Sequence, residues 1–165
     1  MVTKNHDSET KAEGKQVIVA CALIYHNFGG KVKVFLPRRA DTKRFMPGVY
    51  ELPGGHIDFG EDLIIGLRRE IKEEFEKDIN VENILAAFSY TNEIKGSHSV
   101  EIVYLAEFEN GIENIVIHEE DHSGYRWFAE NELDEMLVGG KTQDDEEYII
   151  IKQAFDIMRH KFTNL

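Results

Sequence analysis

The sequence predicts an α/β fold built on a mixed β-sheet, and three observations carry that prediction. A continuous apolar run, Val-Ile-Val-Ala-Cys-Ala-Leu-Ile within residues 16–25, has the length and β-branching of a strand buried on both faces. Residues 61–75 place Leu63, Ile64, Leu67, Ile71 and Phe75 at three- and four-residue spacing, the stripe of an amphipathic helix. Further strand patterns at 84–91, 98–108 and 125–128 alternate with helical ones, and two hairpin patterns add antiparallel pairing.

In order, the buried strand ends at the turn Asn27-Phe28-Gly29-Gly30, and residues 31–36 alternate as its hairpin partner until Pro37. A basic loop follows with Arg38, Arg39, Lys43 and Arg44. It reads either as a solvated loop or as a phosphate clamp, since arginine presents a fork of donors to phosphate oxygens. Residues 50–52 form a short strand before Pro53-Gly54-Gly55. The helix begins near Glu61, where Asp58 and Glu61 have capping-box spacing, and ends at Asp78-Ile79-Asn80. Residues 115–117 are short and extended, residues 130–138 a short helix, and Asp144 or Asp145 caps a last helix with Tyr148, Ile151, Phe155 and Met158 on one face.

The chain has 165 residues, 42% hydrophobic and 30% charged, which suits one globular domain with a real core. Residues 1–15 hold little to bury and read as a disordered N-terminal tail; residues 16–165 form a single domain. The net charge of −12 repels phosphate backbone and argues against a nucleic-acid polymer as partner. Small phosphorylated substrates stay open, because a bound metal inverts the local field. No apolar run approaches the roughly 20 residues of a membrane span, and residues 1–15 lack the apolar core of a signal peptide, so no membrane partner is expected and the cytoplasm is the expected compartment. Cys21, inside the buried run, reads as an inert thiol.

The chemistry concentrates on the first helix. With Glu70 at zero on a wheel of about 100° per residue, Glu74 falls near 40°, Glu73 near −60°, and the apolar stripe near 100°. The carboxylates thus share one face at the margin of the buried stripe. Like charges at this spacing cost an isolated helix roughly 0.2–0.5 kcal/mol per pair. A divalent cation reverses that sign, and Mg²⁺ suits a few carboxylates plus waters and substrate phosphates. Arg69, beside Glu70, is placed to orient it by a charge-assisted hydrogen bond. A glutamate-rich helix alone is more often a solvated face; the longer spacing changes that. Gly55, five residues, Glu61, seven residues, then Arg69-Glu70-Ile71-x-Glu73-Glu74 resembles the Nudix box, and the lead-in Tyr50-Glu51-Leu52-Pro53-Gly54 is similar to that of MutT-like members. One departure stands at the end of the box, where a glycine and an apolar residue are replaced by Glu76-Lys77.

The resemblance implies a Nudix-type α/β/α sandwich and a metal-dependent pyrophosphohydrolase that cleaves a nucleoside diphosphate linked to another moiety, with Mg²⁺ or Mn²⁺ as cofactor. It favours MutT-like hydrolysis of nucleoside triphosphates. A nucleotide-sugar or ADP-ribose type hydrolase is the first alternative, and a non-catalytic nucleotide-sensing domain the second. Carried over by position, Glu70 and Glu74 are metal ligands, Glu73 shares metal or positions water, the Gly54 carbonyl adds a ligand, Glu61 supports from behind, and Arg69 orients Glu70. The acidic loop at 119–127 is similar to one that supplies a further carboxylate in several branches. This makes Asp121 the first choice as ligand or base, Glu120 the second, and His122 an alternative base; a solvated loop with a structural histidine is the bland alternative. Arg38, Arg39 and Arg44 are the expected substrate-binding residues. Trp127 is expected to pack rather than stack on a base, and His56 faces the site or stabilises its turn. Folds of this type often pair, so a homodimer is the alternative to a monomer.

Overall fold

The computed structural model describes residues 9–163. Among them, six strands form one mixed sheet: β1 (Gln16–Phe28), β2 (Lys31–Arg39), β3 (Gly54–His56), β4 (Ile79–Asn92), β5 (Ser97–Phe108) and β6 (His122–Ala129). The order is β4-β5-β1-β2-β6, with β3 also paired to β1. Only β1 and β5 run parallel; the other pairs are antiparallel. Helix α1 (Leu63–Phe75) covers one face of the sheet. Helix α2 (Glu146–Thr163) and a 3-10 helix (Glu130–Met136) cover the other.

Strand β1 explains the layering. Its alternate residues Val19, Cys21, Leu23 and Tyr25 join the α2-side core, while Ala20, Ala22 and Ile24 join the α1-side core. A strand buried on both faces needs a continuous apolar run, which is what the sequence supplies. The small Ala20 and Ala22 face the α1 side, in one core with Leu67, Ile71 and Phe75. Trp127 packs in the α1-side core, 5.4 Å from the Phe35 ring.

Several boundaries differ from expectation for identifiable reasons. Strand β2 runs through Pro37 because the proline carbonyl accepts from the Glu51 N–H (3.1 Å) on the edge away from β6, so the missing N–H removes no bond to β6. Residues 50–52 form only an isolated bridge, Arg38 to Tyr50, and the paired strand begins at Gly54. The α1 cap is Asp62, which accepts from the Ile64 and Ile65 N–H groups at 3.0 and 3.1 Å, rather than the Asp58–Glu61 pair. Residues 115–117 stay irregular, although the Val116 N–H donates to the Phe75 carbonyl (3.1 Å). Asp145, not Asp144, accepts from the Tyr148 N–H at the start of α2 (3.3 Å). Of the expected tail, residues 1–8 lie outside the described residues. Residues 9–15 are held: Ala12 and Gly14 donate to the Lys95 and Gly96 carbonyls at 2.8 and 3.0 Å, and Glu9 accepts from the Arg44 N–H. Among the described residues no helix is long and apolar enough to cross a membrane.

The unusual end of the box keeps a glycine-like shape. Glu76 caps α1 in the left-handed region (φ 55°, ψ 31°), and its N–H donates to the Lys72 carbonyl (3.0 Å). Lys77 lies buried, with Nζ donating to the Glu113 carbonyl (2.9 Å) and standing over the Phe108 ring at 5.4 Å, so its stem does the packing of an apolar residue. A non-glycine residue in the left-handed region costs about 1–2 kcal/mol. Glu76→Gly is therefore expected to raise stability by about 1 kcal/mol and Tm by about 2–4 °C, read by thermal unfolding. The 3.9 Å contact with exposed His118 that is lost contributes little.

Candidate active site

The cleft forms where β3, α1 and the two loops flanking β2 and β6 meet. Its walls include Gly54, Gly55, Glu70, Glu74, Glu51, Asp121, His122 and Lys43. Glycine is required twice, for different reasons. A Cβ on Gly54 (φ 145°) would sit 2.2 Å from the Ala20 carbonyl oxygen, whereas one on Gly55 would meet Glu70 Oε2 at 2.4 Å. The first glycine lets β3 reach β1, and the second leaves room for the carboxylate.

Arg69 is the organiser. Its Nε donates to Glu61 Oε1 (2.8 Å), Nη1 to Glu70 Oε1 (2.8 Å) and Glu73 Oε2 (3.3 Å), and Nη2 to Glu61 Oε2 and the His56 carbonyl (both 3.0 Å). With every nitrogen engaged, Arg69 positions other groups rather than binding substrate. Glu61 also accepts from the Asp58 N–H at 2.9 Å.

Glu70 is pushed up to about 7, chiefly by burial, with Arg69 opposing and Glu73 and Asp58 adding repulsion. Glu74 is half-buried, with its Oε2 shielded from solvent. Burial first, then the negative charges of Glu51, Glu70 and Asp121, hold its pKa well above the ordinary range, against a backbone hydrogen bond from Gly54. Its Oε2 has no hydrogen-bond partner. Glu73 stands at the mouth, with its side chain 60% exposed.

The basic clamp does not assemble as expected. Arg38 is turned to Asp41 (3.0 Å) and Ser123 (2.9 Å), and Arg44 is 65% exposed beside Glu9. Arg39 is buried and tied to Glu51 (3.3 Å) and the Phe45 carbonyl (3.0 Å). The basic side chain of the loop that the cleft holds beside Arg39 is Lys43, whose Nζ donates to Asp121 Oδ1 at 2.8 Å. The Asp121 carbonyl accepts from the Ala40 N–H (2.9 Å), which brings the acidic and basic loops together. Glu120 is exposed and outside the cleft lining.

His122 is buried, tilted against Phe75, with Nε2 3.2 Å from Glu51 Oε1 and Nδ1 without a hydrogen-bond partner. Burial alone would raise Glu51, but Arg39, His122 and Lys141 outweigh it and leave it lowered. Glu51, Glu101 and Glu147 were not among the expected site residues; each comes from a different segment, and only the fold brings them together. Cys21 is buried, its thiol pushed up by burial and Glu101, which fits an inert thiol.

The NUDIX domain family matches residues 15–149. The chain belongs to the Nudix family. An m7GpppN-mRNA hydrolase from Xenopus laevis is 36% identical over 62 residues, 38% of this chain and 20% of that protein. The chain therefore spans about a fifth of that relative. Among solved structures, the MutT protein of Methanosarcina mazei Go1 superposes with a TM-score of 0.65 at 23% identity, covering 90% of this chain and 99% of that one. An Ap4A hydrolase from C. elegans does so with 0.67 at 24% identity, covering 88% and 99%. At these identities the likeness is one of fold, and the Nudix box places its carboxylates on α1 beside β3.

Two outcomes follow. Gly54→Ala is expected to destabilise the fold by at least about 1–3 kcal/mol, whereas Gly55→Ala leaves Tm nearly unchanged and displaces Glu70, read as weakened Mg²⁺ binding by calorimetry. The second concerns pH. Carboxylates whose folded pKa is raised stabilise the fold below their unfolded pKa, near 4.5, and that contribution is lost as pH rises through the folded value, about 7 for Glu70. Without metal, Tm should fall between pH 5 and 8, and the fall should be shallower in Glu74→Gln.

Proposed function

We propose that the protein is a metal-dependent pyrophosphohydrolase acting on a nucleoside diphosphate joined to a further group. The observation that carries this reading is the Glu74 oxygen left without a partner in a buried carboxylate cluster, beside a Glu70 that Arg69 holds in place. Such an oxygen is costly unless something fills its lone pair, and a divalent cation is the group that repulsion among these carboxylates favours. Among the described residues no three His, Cys, Asp or Glu side chains form a ready-made cage. Mg²⁺ and Mn²⁺ keep waters and take ligands from substrate phosphates. Glu70, Glu74, Asp121 and the Gly54 backbone would hold the ion, and Glu73, more exposed on the same helix, would share it or position its water. When bound, the ion neutralises the diphosphate and lowers the pKa of the attacking water.

The chain's own groups do the rest. Arg69 fixes the Glu70 carboxylate. Glu51 accepts from His122 Nε2, which leaves Nδ1 as the lone pair able to take the proton of the attacking water. Lys43, paired with Asp121, would be available to the phosphates if Asp121 held the ion. Nucleoside triphosphates are the favoured substrates, as for a MutT-like member; similarity to proteins named as an m7GpppN-mRNA hydrolase and an Ap4A hydrolase supports nucleotide derivatives as the wider class. The charge of −12 weighs against a long nucleic-acid partner.

The test is a panel of nucleoside triphosphates, dinucleoside polyphosphates and nucleotide sugars with Mg²⁺ or Mn²⁺. Turnover is expected on at least one, lowered at least about 100-fold by Glu70→Gln or Glu74→Gln, and lowered by roughly 10²–10⁴ in kcat with KM little changed by His122→Gln. Full turnover in both glutamate variants would remove the assigned site. A panel without any turnover would leave a nucleotide-binding domain.

A further inference from the structure

The carboxylate cleft opens into a second cavity of about 270 Å³. The two share Phe45, Glu51, Tyr90, Glu101 and Glu147 in their linings, so one elongated molecule can lie across both. The outer cavity is the more apolar in character, with Phe88 and Met46 beside the shared rings.

The rings of Phe45 and Tyr90 are disposed unlike the other aromatic pairs. Their planes lie within 16° of parallel and their centroids are 6.4 Å apart. Core pairs such as Phe35–Phe75 instead meet edge to face, at 5.3 Å and 90°. The 6.4 Å separation is just under twice the roughly 3.4 Å spacing of stacked bases. A flat ring entering between them requires the pair to part by a few tenths of an ångström. The two sides are built to allow this: Tyr90 is fixed in β4, paired with Ser99 of β5, while Phe45 sits in the loop between β2 and β3. Behind Phe45, the Arg39 guanidinium lies 5.7 Å over the ring and steadies its orientation.

A second, independent observation points to the same place. Glu101 lines both cavities, is only 5% exposed, and its Oε1 has no hydrogen-bond partner. A buried carboxyl oxygen left open at the edge of an aromatic slot matches a ligand with both a flat face and polar edge groups. A nucleobase has both.

We infer that Phe45 and Tyr90 form the slot that stacks the nucleobase of the substrate, with Glu101 at its edge reading the base's polar groups. This rests on the pyrophosphohydrolase reading, which sets the substrate's phosphates against Glu70 and Glu74. The base then extends past Glu51 into the outer cavity. Substrate choice resides in these residues rather than in Arg38 and Arg44, which face away from the cleft.

The experiment is titration calorimetry of the full chain with Mg²⁺, using α,β-methylene diphosphates of guanosine and adenosine and the base-free methylenediphosphonate. None of these is hydrolysed at the bridge, so binding is read apart from turnover. The wild type is expected to bind at least one nucleotide roughly 5- to 150-fold more tightly than methylenediphosphonate, the contribution of base–aromatic stacking. Phe45→Ala and Tyr90→Ala should each remove most of that preference. Their unchanged affinity for methylenediphosphonate shows that the cleft is still folded, and Phe45→Trp should keep the preference. Glu101→Gln should change the guanine-to-adenine ratio. An equal affinity of the wild type for nucleotide and methylenediphosphonate, or a full preference kept in both alanine variants, overturns the slot. An unchanged ratio in Glu101→Gln overturns its part. Turnover of the wild type, measured separately, reports on hydrolysis: a failed slot with turnover leaves the reaction standing, and an intact slot without turnover removes the reaction.

Discussion

The guanidinium of Arg69 is the contact on which the site depends. It joins three carboxylates of the box, Glu61, Glu70 and Glu73, to the backbone of β3 through the His56 carbonyl. Without it, Glu70 and Glu73 would repel each other and Glu74 across one face of α1, and their carboxylates would have no fixed position against β3. One planar fork satisfies several acceptors at set angles, which a lysine ammonium cannot do. The glycines complete the arrangement: Gly54 admits the strand to the sheet, Gly55 admits the Glu70 carboxylate to the strand, and Gly66 leaves room for Ile57 and Glu61 beneath the helix.

Around this fixed point the protein accumulates buried negative charge. Glu74, Glu51, Glu101 and Glu147 all face the cleft region, and burial pushes three of the four up. Glu101, at about 8, is raised by burial and then by Glu147 and Glu51; Glu51 alone is held down. The difference lies in the partners. Glu51 has Arg39 and His122, and Glu147 has Lys141 (2.5 Å) and the Leu52 N–H (3.0 Å). Glu74 has neither a cation nor a second donor for Oε2. Glu51 and Glu147 are compensated by the chain itself, whereas Glu74 in the box and Glu101 on β5 each keep an oxygen without a partner.

Much of this was legible in the sequence because it is local. The strand β1 declared itself by its unbroken apolar run, α1 by its stripe, and the box by spacing within one helix and one turn. The Arg69–Glu70 contact lies between chain neighbours and needed only a helix to be formed. What was not legible is assembled from distant segments. Glu51, Glu101, Lys141 and Glu147 come from a loop, a central strand, a second loop and the last helix, and no local pattern links them. The arrangement of the basic loop was not legible for a related reason. Arginines are conspicuous in an acidic chain, yet Arg39 lines the cleft while neutralising half-buried Glu51, Arg38 ties the loop to Asp41 and Ser123, and Lys43 joins Arg39 in the cleft. Residues 9–15 of the expected tail pair with the β4–β5 turn, since Ala12 and Gly14 are held through main-chain groups that composition does not report.

At the end of the box a non-glycine residue takes the shape that a glycine would. A glycine there is the cheap way to turn the chain left-handed after α1. Here Glu76 takes the same turn, and the following Lys77 takes the place of an apolar residue by burying its stem and returning its ammonium to the Glu113 carbonyl. The consequence reaches the site mechanically. Phe75, the last residue of α1, packs on Phe35 and against the His122 ring, so the helix end fixes the depth at which His122 meets Glu51. A helix that frayed at Glu76 would loosen Phe75 and with it the proton acceptor proposed for the reaction, although neither residue touches the carboxylates. The backbone conformation at Glu76, rather than its side chain, is what the chemistry requires.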